Sequence, residues 1–197
     1  MRYLARVFCI GIAVATLTAC APQGVTRQAL LGDREPPAGT EPLTTLQFHY
    51  DSASKNKEER HRLTFSLLPN NILSVEVCKW QFGDFGYSGC PVIEQSQSKL
   101  TKEAWDELRQ ALLISRPASL TIEWPTLLPD GCTPNDHSYS IFNVTFVTAD
   151  SQGGQFTVHD SGHCKGMKVA MQYADQILRM IPDQTLVARY PMVAIKP

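Results

Sequence analysis

The chain has 197 residues, a formal net charge of −1 and 43% hydrophobic residues. This length and composition suit one compact domain with a substantial buried core. The basic residues are dispersed and form no stripe, which argues against a nucleic-acid partner, and no apolar run reaches the length of a transmembrane helix.

The first twenty residues have the organisation of a signal sequence. Arg2 and Arg6 precede an uncharged apolar segment, residues 7–17, that is too short to span a bilayer comfortably. Small residues then lead to Cys20 in the sequence Leu-Thr-Ala-Cys. This run resembles the lipobox of bacterial lipoproteins position by position.

The resemblance implies a specific processing of the N-terminus. The thiol of Cys20 receives a diacylglyceryl group, residues 1–19 are removed, and the new amine is acylated by a fatty acid such as palmitate. Two or three acyl chains hold a protein firmly in a membrane. Residue 21 is Ala and not the Asp that favours inner-membrane retention, so we expect the periplasmic face of the outer membrane. An ordinary secretory signal, cleaved at an Ala-x-Ala-like site, is the alternative.

The segment after the lipobox is poor in large apolar residues. Residues 21–42 contain four prolines and three glycines, a composition typical of a flexible linker with an r.m.s. reach of roughly 25 Å. The sequence thus predicts a signal peptide over 1–19, a lipidated cysteine and flexible tether over 20–42, and a single globular domain over 43–197.

The first half of the domain is predicted to contain three strands and a helix. Alternating apolar and polar residues indicate strands around 46–50, 63–67 and 72–80. Thr101 suits the N-cap of a helix, and apolar residues at helical spacing follow it as far as Pro117.

The second half has the same broad plan without a residue-level repeat. Alternation predicts strands around 120–124, 139–147 and 156–158. Gly166 precedes the clearest amphipathic helix of the chain, and the tail over 186–195 is predicted to add an edge strand. The elements together predict an α+β fold in which two amphipathic helices pack on one face of a mostly antiparallel sheet.

The chain has six cysteines. Cys9 falls in the predicted signal peptide and Cys20 carries the lipid, which leaves four. An exported chain meets an oxidising compartment, so four cysteines predict two disulfides. Among the three possible pairings we favour Cys78–Cys90 and Cys132–Cys164, because each pair brackets a hairpin-like segment. A zinc site is the alternative, disfavoured because the sequence has no C-x-x-C pair.

The segment between Cys78 and Cys90 is the first candidate binding surface. It interleaves glycines with four aromatic residues, which are Trp80, Phe82, Phe85 and Tyr87. A disulfide would hold this segment in one shape, and rigid exposed aromatic side chains bind partners at a low cost in entropy. The alternative is that the rings fold back and cover the open end of the sheet.

The second candidate is a metal site built from histidines. Its proposed ligands are His137, His159, Asp160 and His163, residue types that bind first-row metals. A Cys132–Cys164 disulfide would draw the segments around 137 and 163 together. The alternative is a solvated hairpin end, because Ser161-Gly162 indicates a turn and not a helix.

Motifs for other chemistries are weak. The run Gly-Tyr-Ser-Gly-Cys at 86–90 departs from G-x-S-x-G at its end, glycine-rich phosphate loops are absent, and no cofactor is predicted. We therefore expect a non-catalytic envelope lipoprotein, held by its lipid anchor, that binds a protein, glycan or small molecule. Two alternatives stay open: a metal-dependent envelope enzyme that uses the histidines, and an inhibitor that presents residues 78–90 to a periplasmic hydrolase.

Overall fold

The computed structural model describes residues 24–33, 35–52, 59–83, 86–121, 123–133, 140–159 and 164–193, with backbone alone at 83, 86 and 87. The predicted signal peptide and Cys20 lie outside the described residues, as do Phe85, His137, Asp160 and His163.

A seven-stranded sheet forms the centre of the fold. The strands in chain order are β1 (Leu43–Asp51), β2 (His61–Leu68), β3 (Ile72–Lys79), β4 (Gln81–Gly83), β5 (Gly86–Gly89), β6 (Val92–Lys99), β7 (Thr126–Leu127), β8 (Ser140–Thr148) and β9 (Gly153–His159). The order in the sheet is β6-β3-β2-β1-β8-β9-β7, and neighbouring strands are antiparallel except β7 and β9. The remaining two strands, β4 and β5, pair as a separate hairpin.

The two faces of this sheet differ in polarity. Phe48 and Phe65 are cross-strand neighbours on the apolar face, where their rings stack with centroids 4.6 Å apart. Side chains on the other face are polar and bond to one another: Asn143 Nδ2 donates to Thr157 Oγ1 at 2.8 Å. The alternation in the sequence therefore corresponds to one apolar and one polar face.

The helices are α1 (Arg27–Leu31), α2 (Lys102–Leu113), α3 (Met167–Arg179) and α4 (Gln184–Arg189). Thr101 caps α2 as predicted, with its Oγ1 accepting from Ala104 N at 3.2 Å. Tyr173 of α3 is fully buried, and its ring meets the rings of Phe142 and Phe156 edge-on at 5.9 and 5.7 Å. Both favoured disulfides are present, Cys78–Cys90 and Cys132–Cys164. The predicted α+β class, with its mostly antiparallel sheet and two disulfides, is confirmed.

The N-terminal arm, which we define as the described residues of 24–42, corrects the tether prediction. Leu30 in α1 has no exposed surface, and Val25 N donates to Gln176 Oε1 of α3 at 2.9 Å. The guanidinium of Arg27 donates to three backbone carbonyls at distances between 2.6 and 3.1 Å; these belong to Pro36, Ile114 and Arg116. The flexible-tether prediction is therefore wrong for the arm, because two leucines and one arginine dock a segment that is otherwise rich in proline and glycine.

The predicted strand at 120–124 does not form at the described residues 120, 121, 123 and 124. Thr121 makes one isolated bridge to Gly153, and Trp124 has a φ of +53°, which is outside the extended range. The Trp124 ring instead lies over Gly153, where an added Cβ would come within 2.7 Å of a ring carbon. The alternation of apolar residues here reflects packing beside the sheet.

The predicted edge strand in the tail is also wrong over its described part. Residues Gln184–Arg189 form α4, whose N-cap Asp183 accepts from Leu186 N through Oδ1 at 2.9 Å. Between α4 and Val193, the last described residue, Met192 makes one isolated bridge to Ser52. A capped turn of helix thus replaces the strand that the apolar residues had indicated.

One end of the sheet carries both disulfides, and we call it the stapled end. β1, β3 and β9 finish at this end, while β2, β6 and β8 begin there. Cys78–Cys90 joins the end of β3 to the residues before β6. Cys132–Cys164 joins the segment after β7 to the segment that leads from β9 into α3. Trp80 and His159, described members of the two candidate sites, therefore lie at the same end of the sheet.

Candidate functional site

The stapled hairpin, which we define as residues 78–90, is attached to the stapled end through β3. The Cys78–Cys90 disulfide closes its base with the Cα atoms 5.2 Å apart, and Lys79 N donates to Pro91 O at 3.1 Å beside it. Ser88 Oγ donates to Gln81 O at 3.1 Å between the paired strands β4 and β5. The covalent closure fixes the base of the hairpin to the main sheet.

The aromatic residues of the stapled hairpin have different surroundings. Phe82 in β4 is 42% exposed. Trp80 is half-buried, and the guanidinium carbon of Arg62 lies 4.5 Å from the centre of its ring, a cation–π distance. Phe85 and the side chain of Tyr87 lie outside the described part of the chain. The hypothesis that the rings cover the sheet therefore does not hold for Phe82, whereas Trp80 packs against the end of the sheet.

An ion pair holds the arginine that contacts Trp80. Arg62 Nε lies 2.8 Å from Asp51 Oδ1, and the Asp51 residue is buried. Because Arg62 is at the start of β2 and Asp51 at the end of β1, the pair ties together the two central strands at the stapled end. Trp80 is therefore part of a fixed base, and Phe82 is the described aromatic residue that is available to a partner.

Apolar exposure concentrates next to the stapled hairpin. Four large apolar side chains are exposed among the described residues: Phe82 (42%), Val92 (49%), Ile93 (53%) and Trp124 (41%). Val92 and Ile93 follow the hairpin directly, at the start of the edge strand β6. Trp124 lies near the start of β9, at the opposite end of the sheet. Three of these four side chains thus lie within the stapled hairpin or just after it in the sequence.

The strand β6 was not predicted from the sequence. It reads Val-Ile-Glu-Gln-Ser-Gln-Ser-Lys, and as the edge of the sheet it is exposed over most of its length. Six polar residues in a row hide the alternation that marks a half-buried strand. A β-branched pair immediately after the Cys-Pro of the closed loop was the one signal that could have indicated it.

His49 is a half-buried histidine that the sequence did not single out. It lies on the polar face between Thr64 and Asn143. Burial and, to a smaller extent, the charge of Arg62 lower the pKa of His49 to about 3. The imidazole is therefore neutral near pH 7, and it fills the polar face without adding a charge.

Of the four proposed metal ligands, the structure describes only His159. His159 is the last residue of β9, is half-buried, and pairs with Ser140 at the start of β8. The Cys132–Cys164 disulfide, with Cα atoms 5.0 Å apart, joins segments that flank the other proposed ligands. Among the residues that the structure describes, no group of three or more His, Cys, Asp or Glu side chains is arranged to hold a metal ion. The metal site stays a prediction.

A shallow depression of about 330 Å³ lies between β3 and β6, lined by Ser74, Glu76, Gln95, Ser96 and Gln97. Gln95 Nε2 donates to Glu76 Oε1 at 2.9 Å across it. Glu76 is the one titratable residue in this lining, so the depression offers no acid–base pair. We therefore interpret this depression as a solvated polar surface and not as a catalytic site.

Comparison with known proteins gives no family for this chain. No family model matches the sequence, and no curated protein matches it. Within the described ranges, no helix is both long and apolar enough to cross a membrane.

Proposed function

We propose that this protein is a non-catalytic binding lipoprotein of the bacterial cell envelope, anchored through acylated Cys20, that captures a protein partner with its stapled hairpin. The outer membrane, on its periplasmic side, is the proposed location. One observation carries the binding proposal: Phe82 is exposed on a hairpin whose base is closed by the Cys78–Cys90 disulfide.

Closure of the hairpin favours binding for a physical reason. A disulfide across 12 residues removes chain entropy equivalent to about 3 kcal/mol on the loop-closure model. An aromatic side chain held on such a frame loses little further freedom when a partner covers it. Phe82 therefore has the properties of an anchor residue at the centre of an interface.

The neighbouring residues favour a protein over a glycan as the partner. Val92 and Ile93, just after the hairpin in the sequence, are exposed aliphatic side chains, which offer no hydrogen bonds to sugar hydroxyl groups. Burial of aliphatic and aromatic surface contributes roughly 25 cal/mol per Å², and it is the common driving force at the centre of protein interfaces.

Photo-crosslinking in intact cells tests the proposal. A photoreactive amino acid replaces Phe82 in one variant and Trp124 in a matched control, because both side chains are exposed to almost the same degree at opposite ends of the sheet. We expect a discrete crosslinked protein from position 82 and none from position 124. Equal crosslinking at the two positions, or none at position 82, would contradict the proposal.

The two alternative functions make different predictions. If the protein crosslinked to position 82 is a hydrolase, the binding proposal stands and the inhibitor function is supported. A metal-dependent enzyme instead requires near-stoichiometric metal in protein purified without a histidine tag, and this metal must be lost in a variant with His159→Ala and His163→Ala. We expect the purified protein to lack such metal, and a stoichiometric metal ion that depends on these histidines would overturn the non-catalytic proposal.

A further inference from the structure

The described chain begins against α3, on the side of the molecule that the helices cover. Gly24 lies beside the Gln176 side chain. A Cβ atom added at Gly24 would come within 2.9 Å of Gln176 Nε2. Val25 N donates to Gln176 Oε1 at 2.9 Å, and Leu30 is completely buried. The chain from Gly24 onward is therefore packed on the body of the domain and does not act as a flexible linker.

The arm is held at several independent points. Besides the bonds from Arg27 to the carbonyls of Ile114 and Arg116, Asp130 N donates to Leu30 O at 3.0 Å and Gly39 N donates to Pro117 O at 3.1 Å. Arg116, which is almost fully buried, forms an ion pair with Glu41 at 2.6 Å. Contacts spread along the whole arm mean that one local opening does not release it.

The short distance in sequence from Cys20 to Gly24 has a geometric consequence. Four residue steps span at most about 14 Å when fully extended. A domain of this size has a radius of gyration of about 15 Å and is therefore about 40 Å across. The link from the lipid to the body is thus shorter than the radius of the body.

We infer that the helix-covered side of this protein, at α1 and the outer side of α3, faces the lipid surface, and that the polar face of the sheet is held away from it. The inference rests on the proposed lipid anchor at Cys20. With so short a link the body cannot turn its far side towards the bilayer, whereas a free tether over 21–42 would allow it to tumble. The membrane-facing position follows from the contact of Gly24 and Val25 with Gln176 of α3.

Two exposed glutamines provide a matched pair of probe positions. Gln172 is on the outer side of α3, one turn before Gln176. Gln97 is on β6 opposite Ser74, and so on the polar face of the sheet. A fluorescent amino acid at either position reports its distance from the bilayer when the lipids carry a nitroxide quencher on their headgroups.

The experiment uses the full-length acylated protein in vesicles of phosphatidylethanolamine and phosphatidylglycerol with the headgroup quencher. We expect several-fold stronger quenching at position 172 than at position 97. A second variant carries a long Gly-Ser insertion between Pro22 and Gln23, which leaves the described fold intact, and its two positions should be quenched almost equally. Equal quenching at both positions in vesicle-bound protein without the insertion would overturn the inference and leave the lipid anchor standing.

A separate control distinguishes failure of the anchor from failure of the orientation. The Cys20→Ser variant should lose its acyl chains and its sedimentation with vesicles. If the unmodified protein itself carries no acyl chain and does not sediment with vesicles, then the lipid-anchor proposal fails, and the inferred orientation fails with it.

Discussion

Trp80 and Phe82 are two residues apart and yet have different roles. The Trp80 ring packs under the Arg62 guanidinium, and Arg62 is paired with buried Asp51. The Phe82 ring is exposed on the neighbouring strand. At the scale of single residues, the stapled hairpin thus has one aromatic side chain that supports its base and one that is free to meet a partner.

Serine substitutions separate these two roles. We expect Trp80→Ser to lower the free energy of unfolding by about 2 kcal/mol, since it removes a half-buried ring and a cation–π contact. Phe82→Ser should change it by less than about 0.5 kcal/mol, as exposed positions usually do, while it abolishes partner capture. Denaturant unfolding measures both variants, and a large loss of stability in Phe82→Ser would show that this ring belongs to the core.

His49 should make stability depend on pH. Its pKa is about 3 in the folded protein and ordinarily near 6.5. Between these values the unfolded chain binds a proton that the folded chain does not, so stability is complete above about pH 6.5 and falls as the pH is lowered towards 3.

The His49→Gln variant checks this dependence, because glutamine does not titrate. Unfolding free energies measured from pH 7 to pH 4 should fall less steeply in His49→Gln than in the unmodified protein. His61→Gln is the control: burial also lowers the pKa of His61, but Glu59 opposes this by raising it, so most of the slope should persist. An unchanged slope in His49→Gln would contradict the assignment.

Among the secondary-structure elements, local patterns predicted the long helices well. The apolar residues of α3 recur at helical spacing within the element itself, and the Thr101 cap of α2 is likewise local. Elements that depend on distant partners were missed. β6 has no apolar face because it lies at the edge of the sheet, and Leu30 is buried only through docking of α1 beside α3.

The candidate binding surface shows the same contrast between features predicted from nearby residues and features that depend on distant parts of the chain. Closure of residues 78–90 by a disulfide followed from cysteine spacing and the expected compartment. That Phe82 is exposed while Trp80 packs under Arg62 depends on where β2 lies, which no pattern within the hairpin reports. The lowered pKa of His49 is likewise not predicted by the alternation of apolar and polar residues in β1.

Substitution in α1 tests whether the N-terminal arm is structural. Leu30→Ala should lower the free energy of unfolding by about 2–5 kcal/mol, because it leaves a cavity at a fully buried site. The exposed neighbour Ala29 provides the control, and Ala29→Ser should change stability by less than about 0.5 kcal/mol. If Leu30→Ala is as stable as the unmodified protein, then the arm does not contribute to the fold.

In the molecule as a whole, the parts proposed for anchoring and for binding are attached to different places. The arm begins on the helix-covered side against α3, while the stapled hairpin is attached to β3 near the opposite edge of the sheet from β7. α3 packs over β8 and β9, which lie three and four strand spacings from β3, about 14–19 Å at ~4.8 Å each. A partner can therefore engage the hairpin without displacing the arm.

The topology indicates the order in which the native contacts form during folding, because β1 and the arm both contact residues that come much later in the sequence. Leu46 of β1 pairs with Phe146 of β8. Val25 of the arm donates a hydrogen bond to Gln176, which lies 151 positions later. Contacts of such long sequence separation form slowly, because a large loop must close before they yield any stabilisation. The arm residues are synthesised well before α3, and they are thus among the last residues to reach their final contacts.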